Sequence, residues 1–543
     1  MRPFQHLIAI AGLPGSGKTY LADHLETRHG YRHMNTDRMR KQLGLQGDYS
    51  PQAKQRVYTA LEEWVWEQAR TGENVLLDAT FHADGPQSPR QRFQERWQPL
   101  LPIFWVVCTA PEEVIRERVS KDRPDSEADF AVYQKLRDEW APLAWHTLTL
   151  DTGTDSLAHN LNRIEDFTRD PANASNTTQL GLQRPRVDQL QASGSFPEGT
   201  AETLAPELVE THISWILLMP ETVYKMKKPH KLNFLDFSTR AERHYYLQQE
   251  LTLNRRLAPE VYRSVEPLFY LPGGELHLGE IADANRARQA FPVDYALRMQ
   301  RLDRSKELDK WIPRLKEESP ENWEDALPAE RWETLARRLA EFHHQQPAEQ
   351  YPFAPGEHVE RFADLLSVAE QAAPLLQTLK QPDLLKRLTD RWTVFLQEQA
   401  PTFQARIDRG CVRELHGDLH TGNIFFTQPP VVFDCLEFNR SMRVVDVLDE
   451  LAFLQADLYA WGAKELPDKL WATYCRALKD LGATHLLPQN AAEENLHSYF
   501  IAYRLNVRAK VSLLKAGNAD DDAARQKAER EALRFLAVMP HYV

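Results

Sequence analysis

Residues 7–19 read Leu-Ile-Ala-Ile-Ala-Gly-Leu-Pro-Gly-Ser-Gly-Lys-Thr, an apolar run that leads directly into a glycine-rich turn ending in Lys18 and Thr19. This is the G-x-x-x-x-G-K-T pattern of a phosphate-binding loop, and a helical pattern follows it, as the motif requires. The glycines let backbone N–H groups surround a phosphate chain, Lys18 would reach the β- and γ-phosphates, and the Thr19 hydroxyl is placed to ligate Mg²⁺. The sequence therefore predicts a nucleoside triphosphate site made by Gly12, Gly15, Ser16, Gly17, Lys18 and Thr19.

Short apolar runs alternate with longer helical patterns in the first part of the chain, which is typical of βα units in a parallel sheet. The apolar runs are residues 6–11, 74–78, 102–108 and 145–151. From about residue 163 to residue 207 the composition changes to Asn, Ser, Thr, Gln, Gly and Pro, which favours a connecting segment. We predict an α/β P-loop domain at 1–162, a linker at 163–206 and a further domain at 207–543.

A second signal lies in residues 415–424, Leu-His-Gly-Asp-Leu-His-Thr-Gly-Asn-Ile, followed by Val-Val-Phe-Asp at 431–434. An Asp followed five positions later by an Asn, then an apolar strand ending in Asp, is the pattern of kinases with the protein-kinase-like fold. Asp418 would receive the proton of an acceptor hydroxyl, and Asn423 and Asp434 would hold the metal ions that bridge the phosphates of ATP. The chain is predicted to contain a second ATP site.

A kinase-like small lobe also needs a Lys on a strand for the α- and β-phosphates and a Glu on the following helix. Strand-like segments at 211–219 and 222–226, followed by a charged helix, predict such a lobe, with a helical lobe after it. We predict that Lys225 is the phosphate lysine and that Glu250 is its partner, with Glu242 as the alternative. Lys227 and Lys228 are expected to lie exposed on an edge strand.

Several charged residues beyond the phosphate loop are candidates for the first site. Asp37 and Arg40 are spaced to share one helical face, where Asp37 could accept a hydroxyl proton and Arg40 could pair with the substrate. Asp37 could equally serve as an acid that satisfies the helix dipole. Asp78 ends an apolar strand, the usual place for a residue that holds Mg²⁺ through water. A lid that supplies cations to the transferred group is predicted from Arg116, Arg118 and Arg123.

The bulk composition excludes some classes of protein. At 543 residues the chain exceeds the ~250–300 residues at which one core stops growing, so more than one domain is expected. The apolar runs fall short of the ~20 residues that a membrane helix needs, so we expect no membrane association. The net charge of −12 argues against stable nonspecific binding of nucleic acid. The four scattered cysteines and a first apolar run that reads as a core strand predict a reduced, cytoplasmic protein.

The phosphate loop, Thr-Asp-x-x-Arg at 36–40, Leu-Asp-Ala-Thr at 77–80 and the arginine-bearing segment resemble the P-loop kinase family that includes polynucleotide 5′-kinases, gluconate kinases and zeta-toxin-like kinases. The resemblance covers residues 1–150. It implies that Asp37 is the general base and that Arg123 is the lid arginine. The acceptor stays open, because these kinases share the phosphate machinery and differ in the acceptor pocket.

The segments 416–423, 433–439 and 445–454 resemble the aminoglycoside phosphotransferase family, and more narrowly the subgroup fused to a P-loop kinase domain in bacteria. The resemblance extends from residue 207 to the end of the sequence and implies a two-lobed, protein-kinase-like α+β domain. It also implies ATP- and Mg²⁺-dependent phosphorylation of a small-molecule hydroxyl. The sequence departs in two ways from better-known kinases of this fold. Residues 219–221 stand where a Gly-rich loop is expected, and Asp434 is followed by Cys-Leu-Glu and not by Phe-Gly.

The leading hypothesis is a bifunctional kinase in which each domain transfers the γ-phosphate of ATP, with Mg²⁺, to a hydroxyl of a small metabolite or of a nucleotide or RNA end. One alternative is that the N-terminal domain is a polynucleotide 5′-hydroxyl kinase and that the C-terminal domain assists it. Another alternative is a regulatory or binding protein that uses ATP to change conformation. A binding-only domain needs no base and metal ligands together, which argues against that second alternative.

Overall fold

The computed structural model describes residues 5–81, 88–98, 100–121, 128–143, 145–170, 173–175, 179–232, 235–351, 357–519 and 521–542. The chain divides into two compact units. The first contains Met1–Leu247 and Ser264–Met299, and the second contains Gln248–Arg263 and Gln300–Val543. The predicted boundaries at residues 162 and 207 are not tested by this division and stay predictions.

The N-terminal part of the first unit is built on a parallel sheet with the strand order β2-β3-β1-β4-β5. Its strands are β1 (Leu7–Ala11), β2 (Arg32–Asn35), β3 (Val75–Ala79), β4 (Ile103–Thr109) and β5 (Thr147–Asp151). Every residue of β1 is buried, as expected for a central strand covered on both faces. The predicted α/β domain with a parallel sheet is confirmed.

Helices connect these strands, and the start of α3 illustrates how local sequence sets a helix boundary. They are α1 (Lys18–His29), α2 (Thr36–Gln42), α3 (Pro51–Arg70), α4 (Pro89–Trp97), α5 (Glu112–Val119), α6 (Phe130–Asp138), α7 (Leu157–Arg169) and α8 (Gln179–Ser193). α3 begins after Ser50, whose side chain accepts from the backbone N–H of Ala53, and it carries a proline in its first turn. Its residues Val57, Leu61 and Val65 are buried at helical spacing. The predicted linker, 163–206, thus includes the end of α7 and all of α8.

A second sheet follows, with the strand order β7-β6-β14-β13-β15-β10-β9-β8. Its strands are β6 (Ser195–Phe196), β7 (Gly199–Thr200), β8 (Glu207–Glu210), β9 (Ser214–Leu218), β10 (Thr222–Lys227), β13 (Tyr262–Tyr270), β14 (Leu276–Leu278) and β15 (Phe291–Gln300). A separate two-stranded sheet is formed by β11 (Lys231–Leu232) and β12 (Leu235–Asp236). The helices of this part are α9 (Ala201–Leu204), α10 (Arg240–Asn254) and α11 (Ala284–Gln289).

One apolar core in the first unit joins the P-loop domain to this second sheet. The ring of Phe291, at the start of β15, lies 5.2 Å from the ring of Trp66 on α3 and 5.9 Å from that of Trp97 on α4. All three belong to the same cluster of packed apolar residues. The P-loop domain and the second sheet therefore share buried contacts.

The expectation that Lys227 and Lys228 lie exposed on an edge strand is wrong. β10 lies between β15 and β9, and the side chains of Lys227 and Lys228 are buried. The Lys228 ammonium pairs with Glu210 at 2.5 Å, and that of Lys227 lies 5.1 Å from the ring centre of Phe237. Residues far along the chain cover β10, so its central position could not be read from residues 222–228 alone.

The second unit is mainly helical. Its helices are α12 (Leu308–Glu318), α13 (Ala329–Gln345), α14 (Glu357–Ala363), α15 (Ala369–Thr378), α16 (Leu384–Glu398), α17 (Ala400–Asp408), α18 (Val447–Ala460), α19 (Leu466–Asp480), α20 (Ala491–Gly517) and α21 (Asp522–Val538). Two short antiparallel pairs of strands accompany them, β16 (Val412–Glu414) with β19 (Val444–Asp446) and β17 (Ile424–Phe425) with β18 (Val431–Val432). The mixed sheet followed by helices agrees with the predicted kinase-like domain.

The described residues contain no helix that is both long enough and apolar enough to cross a membrane. α20 has 27 residues, but Arg504, Arg508 and Lys510 interrupt its apolar character.

Candidate active sites

The phosphate loop between β1 and α1 has the backbone that its motif requires. Gly15 and Gly17 have φ of +79° and +80°, a left-handed region that favours glycine, and a Cβ on Gly17 would lie 2.8 Å from Oγ1 of Thr152. The side chain of Ser16 is buried, and its Oγ has no hydrogen-bond partner within the part of the chain that the structure describes. The Lys18 ammonium donates to the carbonyl of Leu13 at 3.0 Å. The unsatisfied hydroxyl and the glycine backbone fit a bound phosphate chain.

Thr19 and Asp78, the two predicted magnesium residues of this domain, lie together. The Thr19 hydroxyl donates to Oδ1 of Asp78 at 3.0 Å. Asp78 sits on β3 in register with Ile10 of β1 and Asn35 of β2, so the ends of three parallel strands converge on it. A buried carboxylate beside a hydroxyl at the phosphate loop is a donor set that Mg²⁺ accepts.

His33 is a residue of this site that the sequence reasoning missed. Its fully buried ring bonds through Nε2 to Oδ2 of Asp78 at 2.7 Å. On the other side of the ring, Nδ1 lies 3.1 Å from the Arg38 guanidinium and 3.1 Å from a carboxylate oxygen of Asp23. His33 therefore fixes the orientation of the Asp78 carboxylate, as a second-shell partner does for a metal ligand.

Asp37 and Arg40 lie on α2, directly after β2. Asn35 begins this helix by accepting from the backbone N–H of Arg38 at 2.7 Å, so half-buried Asp37 falls in its first turn, near the sheet edge that carries Asp78. Arg40 is buried, donates to the carbonyl of Asp48, and lies 4.5 Å from the ring centre of Tyr49. The roles assigned to Asp37 and Arg40 stay predictions.

The predicted arginine lid is only partly within the described residues. Arg123 lies outside them. Arg118 donates to the carbonyl of Gly15 at 3.2 Å and to the carbonyl of Thr152 at 2.7 Å, so it braces the phosphate loop and is not free to act in a lid. Arg116 pairs with Glu112 at 3.2 Å.

In the second unit, the structure brings Asp418 and Asn423 together. The Asn423 amide donates to Oδ2 of Asp418 at 3.0 Å and to its carbonyl at 2.9 Å, which leaves the amide oxygen as the possible metal ligand. The Asp418 side chain is 36% exposed, and its Oδ2 lies 3.4 Å from Nε2 of His420. Burial opposes ionisation of Asp418, but the neighbouring His420 ring and the charge of Arg508 outweigh it and hold the pKa of this carboxyl well below its usual range. A proton-accepting carboxylate is therefore available at neutral pH.

Asp434 lies beside this loop with a strained backbone. Its φ of +61° is unusual for a residue other than glycine. The backbone N–H of Asp434 donates to the Tyr262 hydroxyl at 3.0 Å, and the next N–H donates to Oδ1 of Asn254 at 2.8 Å. The preceding N–H donates to the carbonyl of Asn423 at 3.0 Å. Tyr262 and Asn254, which the sequence reasoning also missed, thus hold the segment that carries Asp434.

Two acids of α18 hold residues 416–423, the candidate catalytic loop, by the backbone. Glu450 accepts from the N–H of His416 at 2.7 Å and from that of Gly417 at 3.0 Å. Asp457 accepts from the N–H of Thr421 at 2.9 Å and also from its hydroxyl. Burial raises the pKa of Glu450 to about 7. Such contacts position the loop without touching a substrate.

The buried acids before and at the start of α18 form ion pairs. Asp446 pairs with Arg406 at 2.6 and 2.7 Å, and Asp449 pairs with Arg504 at 2.6 and 2.8 Å. These ion pairs make Asp446 and Asp449 part of the scaffold that surrounds the loop.

Lys225 and Glu250, the predicted phosphate lysine and its partner, lie on different elements. Lys225 is on β10, opposite Ile216 of β9, in the first unit. Glu250 is fully buried on the part of α10 that belongs to the second unit. Their pairing stays a prediction.

Two family models match this chain. Residues 7–143 match the AAA domain model, and residues 287–487 match the model of the phosphotransferase enzyme family. The matched ranges contain the phosphate loop and the catalytic loop, respectively. The predicted fusion of a P-loop kinase domain with an aminoglycoside phosphotransferase-like domain is confirmed.

The curated relatives do not name a substrate. An uncharacterized protein of Mycobacterium tuberculosis strain H37Rv is 28% identical over 343 residues, which are 62% of this chain and 59% of the relative. An uncharacterized protein of Mycobacterium bovis matches with the same values. The matched region thus spans less than two thirds of the length of these relatives.

Among solved structures, a sugar kinase from Janibacter sp. HTCC2649 is similar with 16% identity and a TM-score of 0.26, over 32% of this chain and 99% of that chain. A gluconokinase from Sinorhizobium meliloti 1021 is similar with 17% identity and a TM-score of 0.23, over 34% of this chain and 97% of that chain. Likenesses at these scores give no argument about substrate. The family matches show that residues 7–143 are similar to the AAA domain family and that residues 287–487 are similar to the phosphotransferase enzyme family.

Proposed function

We propose that this protein is a bifunctional kinase, in which each domain transfers the γ-phosphate of ATP to a hydroxyl. The observation that carries the proposal is the catalytic loop, where a base, Asp418, is hydrogen-bonded to a metal-ligand amide, Asn423, at 3.0 Å. The phosphate loop with Thr19 bonded to Asp78 supports the same chemistry in the N-terminal domain. The acceptors proposed are a small metabolite or the 5′-hydroxyl end of a nucleic acid.

In the C-terminal domain, Asp418 orients the acceptor hydroxyl and takes its proton as the oxygen attacks the γ-phosphorus. The new O–P bond forms while the bond from the γ-phosphorus to the β–γ bridging oxygen breaks, and ADP leaves with that electron pair. Asn423 and Asp434 are the residues that would hold Mg²⁺, which would neutralise charge on the phosphates. Glu450 and Asp457 keep the loop in register through its backbone N–H groups.

In the N-terminal domain, Lys18 and the backbone of the phosphate loop would bind the β- and γ-phosphates. Thr19 and Asp78 are the residues that would hold Mg²⁺, with His33 fixing the Asp78 carboxylate. Asp37 would accept the proton of the second acceptor hydroxyl. Arg40 and Arg123 keep their proposed roles at the acceptor and at the transferred phosphate.

We also propose a cytoplasmic location. All four cysteines are free, and Cys108, Cys411 and Cys435 are buried. Burial raises the pKa of the Cys108 and Cys435 thiols to about 12, so both stay as unreactive thiols at neutral pH. Reduced thiols of this kind are usual in a reducing compartment.

The proposal is tested by transfer of label from γ-labelled ATP, with Mg²⁺, into a cytosolic small-molecule extract by Lys18→Ala protein, in which only the C-terminal site is competent. We expect the Lys18→Ala protein to give labelled products and the Lys18→Ala, Asp418→Asn double variant to give none. The matched control is Asp480→Asn, an exposed aspartate at the end of α19, which should label as much as its parent. Equal labelling with and without Asp418→Asn would refute phosphotransfer by this loop.

A further inference from the structure

Two arginines of the C-terminal helices lie next to the catalytic loop. Thr421, between Asp418 and Asn423 in sequence, is the common neighbour. Its hydroxyl accepts from the indole N–H of Trp461 at 3.1 Å, and the Arg534 guanidinium of α21 stacks 3.5 Å from the Trp461 ring centre. Its backbone N–H donates to Asp457 at 2.9 Å, and the Arg508 guanidinium of α20 lies 3.9 Å from that carboxylate.

These two guanidinium groups are incompletely paired. Nε of Arg508 and one terminal nitrogen of Arg534 are buried and have no hydrogen-bond partner among the described residues. Arg504, one helical turn before Arg508, is a useful contrast, because it makes a bidentate pair with Asp449 at 2.6 and 2.8 Å. Buried cationic donors without partners are costly, so an incoming anion would be favoured. Both side chains keep part of their surface exposed, 21% for Arg508.

The acids nearby balance only part of this charge. Burial opposes ionisation of Asp457, but the neighbouring Arg508 outweighs it and lowers the pKa of this carboxyl, so Asp457 offsets one of the positive charges. Asp457 uses one carboxylate oxygen for the backbone and hydroxyl of Thr421. Asp309 has an oxygen that is buried without a partner in the described structure, and burial raises the pKa of its carboxyl, which favours its neutral form. On the basic side, Lys316 donates to the carbonyl of Trp461 at 2.7 Å and adds a further cation beside Arg534.

From this arrangement we infer that the acceptor of the C-terminal site is a hydroxyl compound that carries an oxyanion, a phosphate or a carboxylate, held by Arg508 and Arg534. The planar guanidinium groups match the bidentate geometry of either anion. Asp309 would bond a further hydroxyl of the acceptor. The inference rests on the proposed phosphotransfer, with Asp418 as the base, and it disfavours polycationic acceptors such as aminoglycosides.

The test measures anion binding without phosphotransfer. The full chain is saturated with Mg²⁺ and a nonhydrolysable ATP analogue, so that both nucleotide sites are filled, and inorganic phosphate and acetate are titrated separately by isothermal titration calorimetry. We expect saturable binding of at least one of the two anions. Arg508→Gln and Arg534→Gln should each weaken it about ten-fold or more, the scale of one charged hydrogen bond. Tighter binding of phosphate assigns a phosphorylated acceptor, and tighter binding of acetate assigns a carboxylated one.

The matched control is Arg525→Gln, an exposed arginine on α21 that pairs with Asp522 at 2.8 Å and should bind the anion as wild type does. Arg534→Lys keeps the positive charge and should retain more binding than Arg534→Gln, which separates loss of charge from loss of folding. No binding of either anion to the wild type, or equal binding by the wild type and both glutamine variants, would overturn the inference. The proposed function is tested separately by the labelling experiment, and it fails if labelling does not depend on Asp418.

Discussion

Asp78 is hydrogen-bonded on both of its carboxylate oxygens, by Thr19 on one and by His33 on the other. The first contact joins the two residues proposed to hold Mg²⁺, and the second orients the carboxylate from behind. Because His33 is fully buried and itself held by Arg38, it has little freedom to turn. The precision of this site therefore depends on a residue that would touch neither nucleotide nor metal.

We predict that His33→Ala weakens Mg²⁺-dependent nucleotide binding about ten-fold, the lower end of the loss seen when second-shell partners of metal ligands are removed. A fluorescent ATP analogue titrated at several Mg²⁺ concentrations measures this, using an Asp434→Asn background to weaken the second site. His159→Gln, an exposed histidine on α7, is the control and should leave binding unchanged. An unchanged Mg²⁺ requirement in His33→Ala would show that His33 does not position Asp78.

Buried histidines predict how stability depends on pH. Burial lowers the pKa of His343 to about 3 and those of His416 and His497 to about 4. In the unfolded chain these rings take up protons near pH ~6.5, whereas the folded protein resists protonation until lower pH. The free energy of unfolding should therefore decrease as pH falls from about 6.5 towards 4.

Urea unfolding across this pH range measures the effect. His343→Gln removes one of the three groups, so its stability should fall less steeply with decreasing pH than that of the wild type. The exposed His159→Gln should follow the wild-type slope. Identical slopes for His343→Gln and the wild type would contradict the assignment.

At the scale of elements, α18 organises the second site. Asp446 caps its start by accepting from the backbone N–H of Leu448, and Glu450 and Asp457 accept from the backbone of the catalytic loop. The helix is buried along nearly its whole length, so its acids need partners. The pair of Asp449 with Arg504 ties α18 to α20.

We predict that Asp449→Ala lowers the free energy of unfolding by about 3–5 kcal/mol, because it leaves the buried Arg504 charge uncompensated. Asp390→Ala is the control. It breaks an exposed pair with Lys386 at 2.5 Å and should cost less than about 1 kcal/mol. Chemical denaturation of both variants measures the difference, and equal losses would show that the buried pair does not stabilise the fold.

The strands and loops also show how much of the fold and of the candidate sites could be predicted from the sequence alone. The apolar runs predicted β1, β3 and β4, because these central parallel strands are apolar on both faces, and the run at 145–151 predicted the edge strand β5. They missed β2, whose residues Arg32, His33 and Asn35 are polar. The proximity of Asp418 and Asn423 could be predicted, because the two residues keep a fixed local spacing, and their roles stay predictions. His33, Asn254 and Tyr262 could not be found, because each acts on a residue far away in the sequence.

At the scale of the whole molecule, the P-loop domain is packed onto the second sheet through the contacts of Phe291 with Trp66 and Trp97. Removing this ring should open a cavity in the shared core of the first unit. We predict that Phe291→Ala lowers the free energy of unfolding by about 3–5 kcal/mol. Val394→Ala, at a position that is 55% exposed, should have an effect below about 0.5 kcal/mol. Similar denaturation midpoints for the two variants would contradict a shared core.

The central claim is that one chain carries two separate phosphotransfer sites. The most direct measurement is label transfer from γ-labelled ATP, with Mg²⁺, into small-molecule and RNA fractions of a cytosolic extract, using wild type, Lys18→Ala and Asp418→Asn side by side. We predict that each variant loses only its own set of labelled products and that the double variant loses both. Loss of every product in either folded single variant, or ATP hydrolysis without any labelled acceptor, would contradict the account.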